Sequence, residues 1–218
     1  MVVGLGNPGR RYTRSRHNIG VRVVERFAAD CGFSLSDSQF SGRFGRGEVS
    51  ATDAAAVRTP VAVLAPQTFM NRSGQSIAEA LAELNIEDQA TDLIVVLDDV
   101  DLPFGRLRIR ARGSSGGHLG LANVIDCVGH GDFPRLRFGI GRPGEPTATT
   151  VDWVLQDFSD LEESALYPMA ERAVEALATM ALFGVTPAMN RYNRDPGSPD
   201  EPADDERQTA DSGDKPES

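Results

Sequence analysis

Cysteine is nearly absent: Cys31 and Cys127 are the only two in 218 residues. They form no Cys-x-x-Cys pair, which excludes a disulfide framework and a thiolate metal site. Both lie in apolar helical patterns and are expected to be buried free thiols. Long hydrophobic runs are missing as well. None approaches the roughly 18 apolar residues of a membrane span, and no basic–apolar–small segment precedes the first apolar stretch. The chain is therefore expected to make no membrane contact and to stay in the cytoplasm. Histidine is limited to three residues. No metal-binding box, reactive-serine elbow or nucleophilic cysteine stands out, so direct attack by water is favoured over a covalent intermediate. Internal repeats are absent too.

What is present suits a globular protein, with 40% hydrophobic and 25% charged residues. The net charge of −10 argues at first against a nucleic-acid partner. Its distribution changes that. Residues 195–218 hold nine acids against two bases and carry −7, which leaves only −3 for residues 1–194. Within that body the arginines cluster: Arg10, Arg11, Arg14 and Arg16; then Arg106, Arg108, Arg110 and Arg112; then Arg135, Arg137 and Arg142. A mildly acidic body with basic faces is compatible with phosphate binding.

Periodicity sets the fold class. RLRIRAR, residues 106–112, alternates arginine with Leu107, Ile109 and Ala111, which predicts a strand with one buried and one basic face. LRFGIG, 136–141, alternates likewise. LIVVL, 93–97, is continuously apolar and reads as a central strand, as does VAVLA, 61–65. Residues 1–5 and 40–49 complete the strand set. Helical patterns run through 19–31, 73–84, 119–128 and 159–183, with Ser159 and Glu162 spaced for a capping box. The expectation is α/β: a single domain, a three-layer α/β/α arrangement around a central mixed twisted sheet. The link between 97 and 107 is too short for a helical crossover, hence the mixed sheet. The domain is assigned to 1–193. From 194 to 218 the composition collapses to Pro, Gly, Ser, Asp and Glu, an acidic tail expected to be disordered.

The first strand leads into GLGNPG, residues 4–9, which has the letters of a dinucleotide-binding loop. The following RRYTRSRHN lacks helical apolar spacing, and no acidic residue stands at the end of a second strand where a ribose would need one. A nucleotide-dependent oxidoreductase is thereby excluded. Polar residues recur just beyond strands: Asn7, then Gln67, Thr68 and Asn71, then Asp98, Asp99 and Asp101. Ligand crevices of open α/β sheets form beyond the carboxyl ends of strands. His17 and His118 stand in loops ahead of helices, while His130 lies in a GHGD loop with no evident role. A histidine steadied by a carboxylate can serve as a general base.

Five motifs, in order, resemble the bacterial-type peptidyl-tRNA hydrolase family: VGLGNPGRRYTRSRHNIG, PQTFMNRSG, DDVDLPFGRLRIR, GSSGGHLGL and RLRFGIGRP, spanning residues 2–143. The resemblance implies a monomeric α/β hydrolase that cleaves the ester between a peptide and the 3′-terminal ribose of tRNA, without metal or organic cofactor. It implies His17 as the base that activates water and Asp98 as its orienting partner. It implies Asn7 and Asn71 as positioning and oxyanion-stabilising groups. Met70 and Asn71 would line the peptide groove, Tyr12 would lie near the tRNA 3′ end, and His118 would bind substrate. Gly4, Gly6 and Gly9 would let the chain turn tightly beneath Asn7. Arg137, with the arginines of 106–112, is expected on the tRNA side. One position departs from the family pattern G-G-H-N-G: Leu119 replaces the asparagine, so slower hydrolysis is expected. The alternative is an RNA-binding protein of the same fold with weak or no hydrolase activity.

Overall fold

A computed structural model describes residues 1–51, 57–144 and 149–194. The segment expected as a disordered tail lies, apart from Arg194, outside the described residues. Among them, four parallel strands form the middle of one sheet: β1 (Val2–Gly4), β4 (Arg58–Pro66), β5 (Ile94–Asp99) and β7 (Arg135–Gly139). Antiparallel strands finish both sides. β2 (Asp37–Gln39) and β3 (Gly42–Ser50) extend the sheet beyond β4, and β6 (Leu107–Arg110) extends it beyond β7. The order is β2-β3-β4-β1-β5-β7-β6. The sheet is thus mixed, as the short 97–107 link demanded, but β6 does not neighbour β5. The chain returns through a helix and inserts β7 between them.

Alternation along the strands assigns the two faces. Val2, Val63, Ile94, Val96, Leu107, Ile109, Leu136 and Phe138 share one buried cluster with α1 (Ile19–Asp30), α6 (Asp160–Phe183) and α7 (Val185–Tyr192). Val3, Leu5, Leu64, Val95 and Leu97 share the other with α2 (Ser73–Glu83) and α4 (Leu119–Val128). Two short helices, α3 (Gln89–Asp92) and α5 (Thr150–Leu155), complete the helix set among the described residues. The three layers follow from residues two apart pointing to opposite sides of a strand. No helix among the described residues is long and apolar enough to cross a membrane.

Some sequence expectations change. The arginine strand is four residues long, not seven, because pairing to β7 stops at Arg110. Cys31 is half-buried and Cys127 exposed, not buried. Cys31 stands where α1 ends, and the buried residues of α4 stop at Val124. The glycines of the first motif serve a different purpose from turning. Only Gly9 has a positive φ, of 97°. Gly4 instead lets α1 approach β1: a methyl added to Gly4 would lie 2.4 Å from the Gly20 carbonyl oxygen. One added to Gly20 would lie 2.4 Å from the carbonyl oxygen of Val96 and 2.8 Å from that of Leu5.

This close approach sets where α1 begins, and so where His17 stands. Gly20→Ala is expected to lower the unfolding free energy by about 3 kcal/mol through overpacking, read from the denaturant midpoint. An unchanged midpoint would mean that α1 can back away from the sheet.

Candidate active site

The polar residues gather beyond the carboxyl ends of β1, β4 and β5, three neighbouring strands. The loop that carries His17 is fixed before it reaches the site. Ser15 is buried and donates through both its backbone N–H and Oγ to the Tyr12 carbonyl. The Arg16 N–H donates to the Gln156 carbonyl. The Arg16 guanidinium, also buried, grips both carboxylate oxygens of Glu162 at 2.8 and 2.9 Å. Its face lies 3.7 Å from the Trp153 ring centre and 4.9 Å from that of Phe158. Paired hydrogen bonds and stacking suit arginine and would not suit lysine. Glu162 also accepts from the Ser159 N–H and so closes the capping box of α6. The first turn of α6 therefore anchors the residue beside His17.

Asp98, the last but one residue of β5, is 2% exposed. Its Oδ1 lies 2.7 Å from His17 Nδ1 and 3.1 Å from His118 Nε2. The two rings are 5.0 Å apart between centres. The second nitrogen of His118, Nδ1, accepts the Leu121 N–H at the start of α4. Hydrogen bonding then assigns the protons. His118 must carry its proton on Nε2 and donate it to Asp98. His17 donates from Nδ1, which leaves the lone pair of Nε2 available. Burial alone would push the Asp98 carboxyl up, but His17 and His118 more than offset this and hold it below the usual carboxylate range. His17, Asp98 and His118 also bring ligand atoms within 4.8 Å of one another, as a metal site would. Here one nitrogen of each ring is turned onto the carboxylate as a hydrogen-bond donor.

Asn7 is held from three directions. Its N–H donates to Asn18 Oδ1 at 2.8 Å, and Asn18 Nδ2 donates to its carbonyl at 2.9 Å. Its own Oδ1 accepts the Met70 N–H at 2.9 Å. With that oxygen engaged, the Asn7 amide has only its Nδ2 donor end left to offer. The sequence pattern does not single out Asn18, although HN in RSRHNIG marks it: Asn18 stands just ahead of α1 without capping it by its side chain, because that amide serves Asn7. Met70 is buried and Asn71 exposed in the 3-10 turn that precedes α2. Tyr12 is half-buried in another such turn, beneath the Arg11 guanidinium. A cleft of about 280 Å³ adjoins the site through Asn7 and Asn18 and is also walled by Gly9, Arg10, Arg43 and Gln67. His17, Asp98 and His118 are not part of its walls.

Residues 1–200 match the family model described as Peptidyl-tRNA hydrolase. A peptidyl-tRNA hydrolase of Chloroflexus aggregans is 42% identical over 194 residues, 88% of this chain and 98% of that one. The chain belongs to the peptidyl-tRNA hydrolase family. A second family member, from Symbiobacterium thermophilum, is also 42% identical, over 193 residues, 88% of this chain and 98% of its own. The crystal structure of peptidyl-tRNA hydrolase from Acinetobacter baumannii shares the fold, with a TM-score of 0.75 at 34% identity, over 88% of this chain and 93% of that chain.

Against the peptidyl-tRNA hydrolase pattern, Leu119 opens α4 directly after His118 and is 63% exposed. It does not pack into the helix–sheet interface. Asn123, one turn on, cannot stand in for the missing amide, because its Oδ1 accepts the Gly74 N–H of α2 at 2.8 Å. The β7 arginines are engaged within the fold. Arg135 is 1% exposed and donates to the carbonyls of Phe133, Gly113 and Gly131, so it is not a surface phosphate contact. Arg137 is half-buried, bonded to Asp99 at 3.0 Å and to the Ser114 and Ser115 carbonyls. Both brace the loop that leads to His118.

Asp98 supplies a pH prediction. Its folded carboxyl titrates below its unfolded value of about 3.9, so its contribution to stability is complete above that value. It is lost as pH falls through the folded value. The stability advantage of the native chain over Asp98→Asn is expected to shrink steadily below about pH 4. A difference independent of pH down to full acid unfolding would contradict the charged assignment.

Proposed function

We propose that the chain hydrolyses peptidyl-tRNA at the ester that joins the peptide to the 3′-terminal ribose, and so recycles tRNA released from stalled ribosomes. The observation that carries this reading is the His17–Asp98 pair: a buried carboxylate 2.7 Å from Nδ1, with the opposite ring nitrogen unengaged by any described residue. Water donates a proton to His17 Nε2 while its oxygen bonds to the ester carbonyl carbon. Asp98 stays ionised and steadies the imidazolium. The carbonyl oxygen becomes an oxyanion, to which the Asn7 Nδ2 group and Asn71 donate. Such preorganised donors supply a large share of catalysis. The bond between carbon and ribose oxygen then breaks, and the proton on His17 passes to the leaving 3′ oxygen.

The other assignments follow the same reading. His118 binds substrate while it shares the Asp98 oxygen. Met70 and Asn71 border the peptide, Tyr12 approaches the 3′ end of the tRNA, and Arg137 assists on the tRNA side. The enzyme acts as a cytoplasmic monomer without metal or organic cofactor. Family membership does not favour the alternative, an RNA-binding protein without catalysis.

Two variants test the reading on N-blocked aminoacyl-tRNA, with release of free tRNA followed in single turnovers. His17→Ala is expected to lower the cleavage rate about 1,000-fold, within the range for loss of a general base, and to lower the melting temperature as well, because the buried Asp98 carboxylate keeps only His118 as a partner. Undiminished cleavage would remove the mechanism. Leu119→Asn is expected to raise the rate about 10-fold, the value of one restored transition-state hydrogen bond of about 1.4 kcal/mol. Since Leu119 is exposed, its melting temperature should hardly move. A variant that cleaves no faster would show that the amide is not what limits this enzyme.

A further inference from the structure

The described chain leaves the body at its arginine edge. Beside the open side of β6, the Asn193 side chain pairs with the backbone of Ile109 as another strand would. The Ile109 N–H donates to Asn193 Oδ1 at 2.6 Å, and Asn193 Nδ2 donates to the Ile109 carbonyl at 3.0 Å. The Asn193 carbonyl accepts from Arg106 Nη2 at 2.6 Å. The chain is therefore pinned to this strand two residues before the acidic segment 195–218 begins.

The surface next to that point is basic. Arg110 lies opposite Arg135 in the β6–β7 register, and Arg108 opposite Arg137. Arg110 and Arg112 are exposed. Arg135, packed on backbone carbonyls, keeps its charge: burial and then Arg137 push it down only to about 10. Segment 195–218 carries −7 and reaches at most about 80 Å when extended. The family model stops at residue 200, and the relative from Chloroflexus aggregans is matched over 98% of its length by 194 residues of this chain. Most of these acids are thus additions to the family's body. They follow an anchor on the one edge strand that is rich in arginine.

We propose that segment 195–218 is a built-in polyanion that lies on the arginine edge around Arg110 and Arg112 and competes there with the phosphates of tRNA. The competition rests on the proposed tRNA substrate; the docking does not. A tethered competitor acts at an effective concentration in the millimolar range. It weakens nonspecific polyanion contacts most, and only a ligand with many phosphates displaces it. Because both contacts are ionic, the effect is greatest at low salt.

The test uses the full chain and a full-length variant with all nine acids of 195–218 changed to Asn or Gln, each combined with native or Arg110→Ser/Arg112→Ser edges. Docking is read without tRNA, from the backbone amide NMR signals of residues 108–112. They are expected to differ between native and neutralised tails and to converge at high salt; identical signals at low salt overturn the proposal. Competition is read from the dissociation constant for tRNA. Neutralising the tail is expected to tighten binding about 10-fold at low salt, with the gain fading as salt rises, and the gain is expected to vanish in the Arg110→Ser/Arg112→Ser background. If tail neutralisation changes nothing while the arginine changes still weaken tRNA binding, the tail proposal falls and the substrate reading stands. If N-blocked aminoacyl-tRNA is neither bound nor cleaved by any of the four proteins, the substrate reading falls, and the NMR signals alone decide docking.

Discussion

The site depends on one buried negative charge. Asp98 stands near the carboxyl end of β5 at 2% exposure, where an unpaired carboxylate would be strongly destabilising. Two imidazole N–H groups make it tolerable, and they come from two different elements. His17 is delivered by the loop before α1, and His118 caps α4. The charge that needs neutralising therefore ties three parts of the chain to one point. It also fixes the proton on each ring, because His118 has only one nitrogen left to donate.

Much of the remaining structure keeps those parts in place. Glycines at 4 and 20 bring α1 against β1 and β5. Arg16, gripped by Glu162 and stacked on Trp153, fixes the residue before His17 from the far side of the chain. On the other flank, Arg135 and Arg137 bond the carbonyls of residues 113–115, from which the chain runs to His118. Arginine here is a scaffold material: its rigid fork satisfies several carbonyls at once.

This division gives the arginines two different tasks. On β7, Arg135 is consumed inside the fold and Arg137 is half-buried against Asp99 and the carbonyls of residues 114–115, whereas Arg110 and Arg112 of the edge remain at the surface. Charge counting alone treats them alike. The same distinction applies to amides: Asn18 and Asn123 bond within the fold through their oxygens, whereas Asn7 has its oxygen taken by Met70 and only its donor end left to offer.

Local periodicity determined which segments became the strands of the sheet and its main helices. The 119–128 helix, the capping box at Ser159 and Glu162, and the mixed sheet were all legible, because each reflects burial along a short stretch. Five spaced motifs were enough to indicate the family, and His17, Asp98, Asn7 and His118 could be named from them. The sequence could not reveal that both histidines share one carboxylate oxygen, that Asn18 clamps Asn7, or that Arg16 meets Glu162. These partners lie 81, 11 and 146 residues apart for His17–Asp98, Asn18–Asn7 and Arg16–Glu162. Nor could it show that Arg135 is buried, since alternation identifies a face but not what covers it. Strand order and helix packing decide which distant groups meet, and hydrogen bonds form only after that geometry exists.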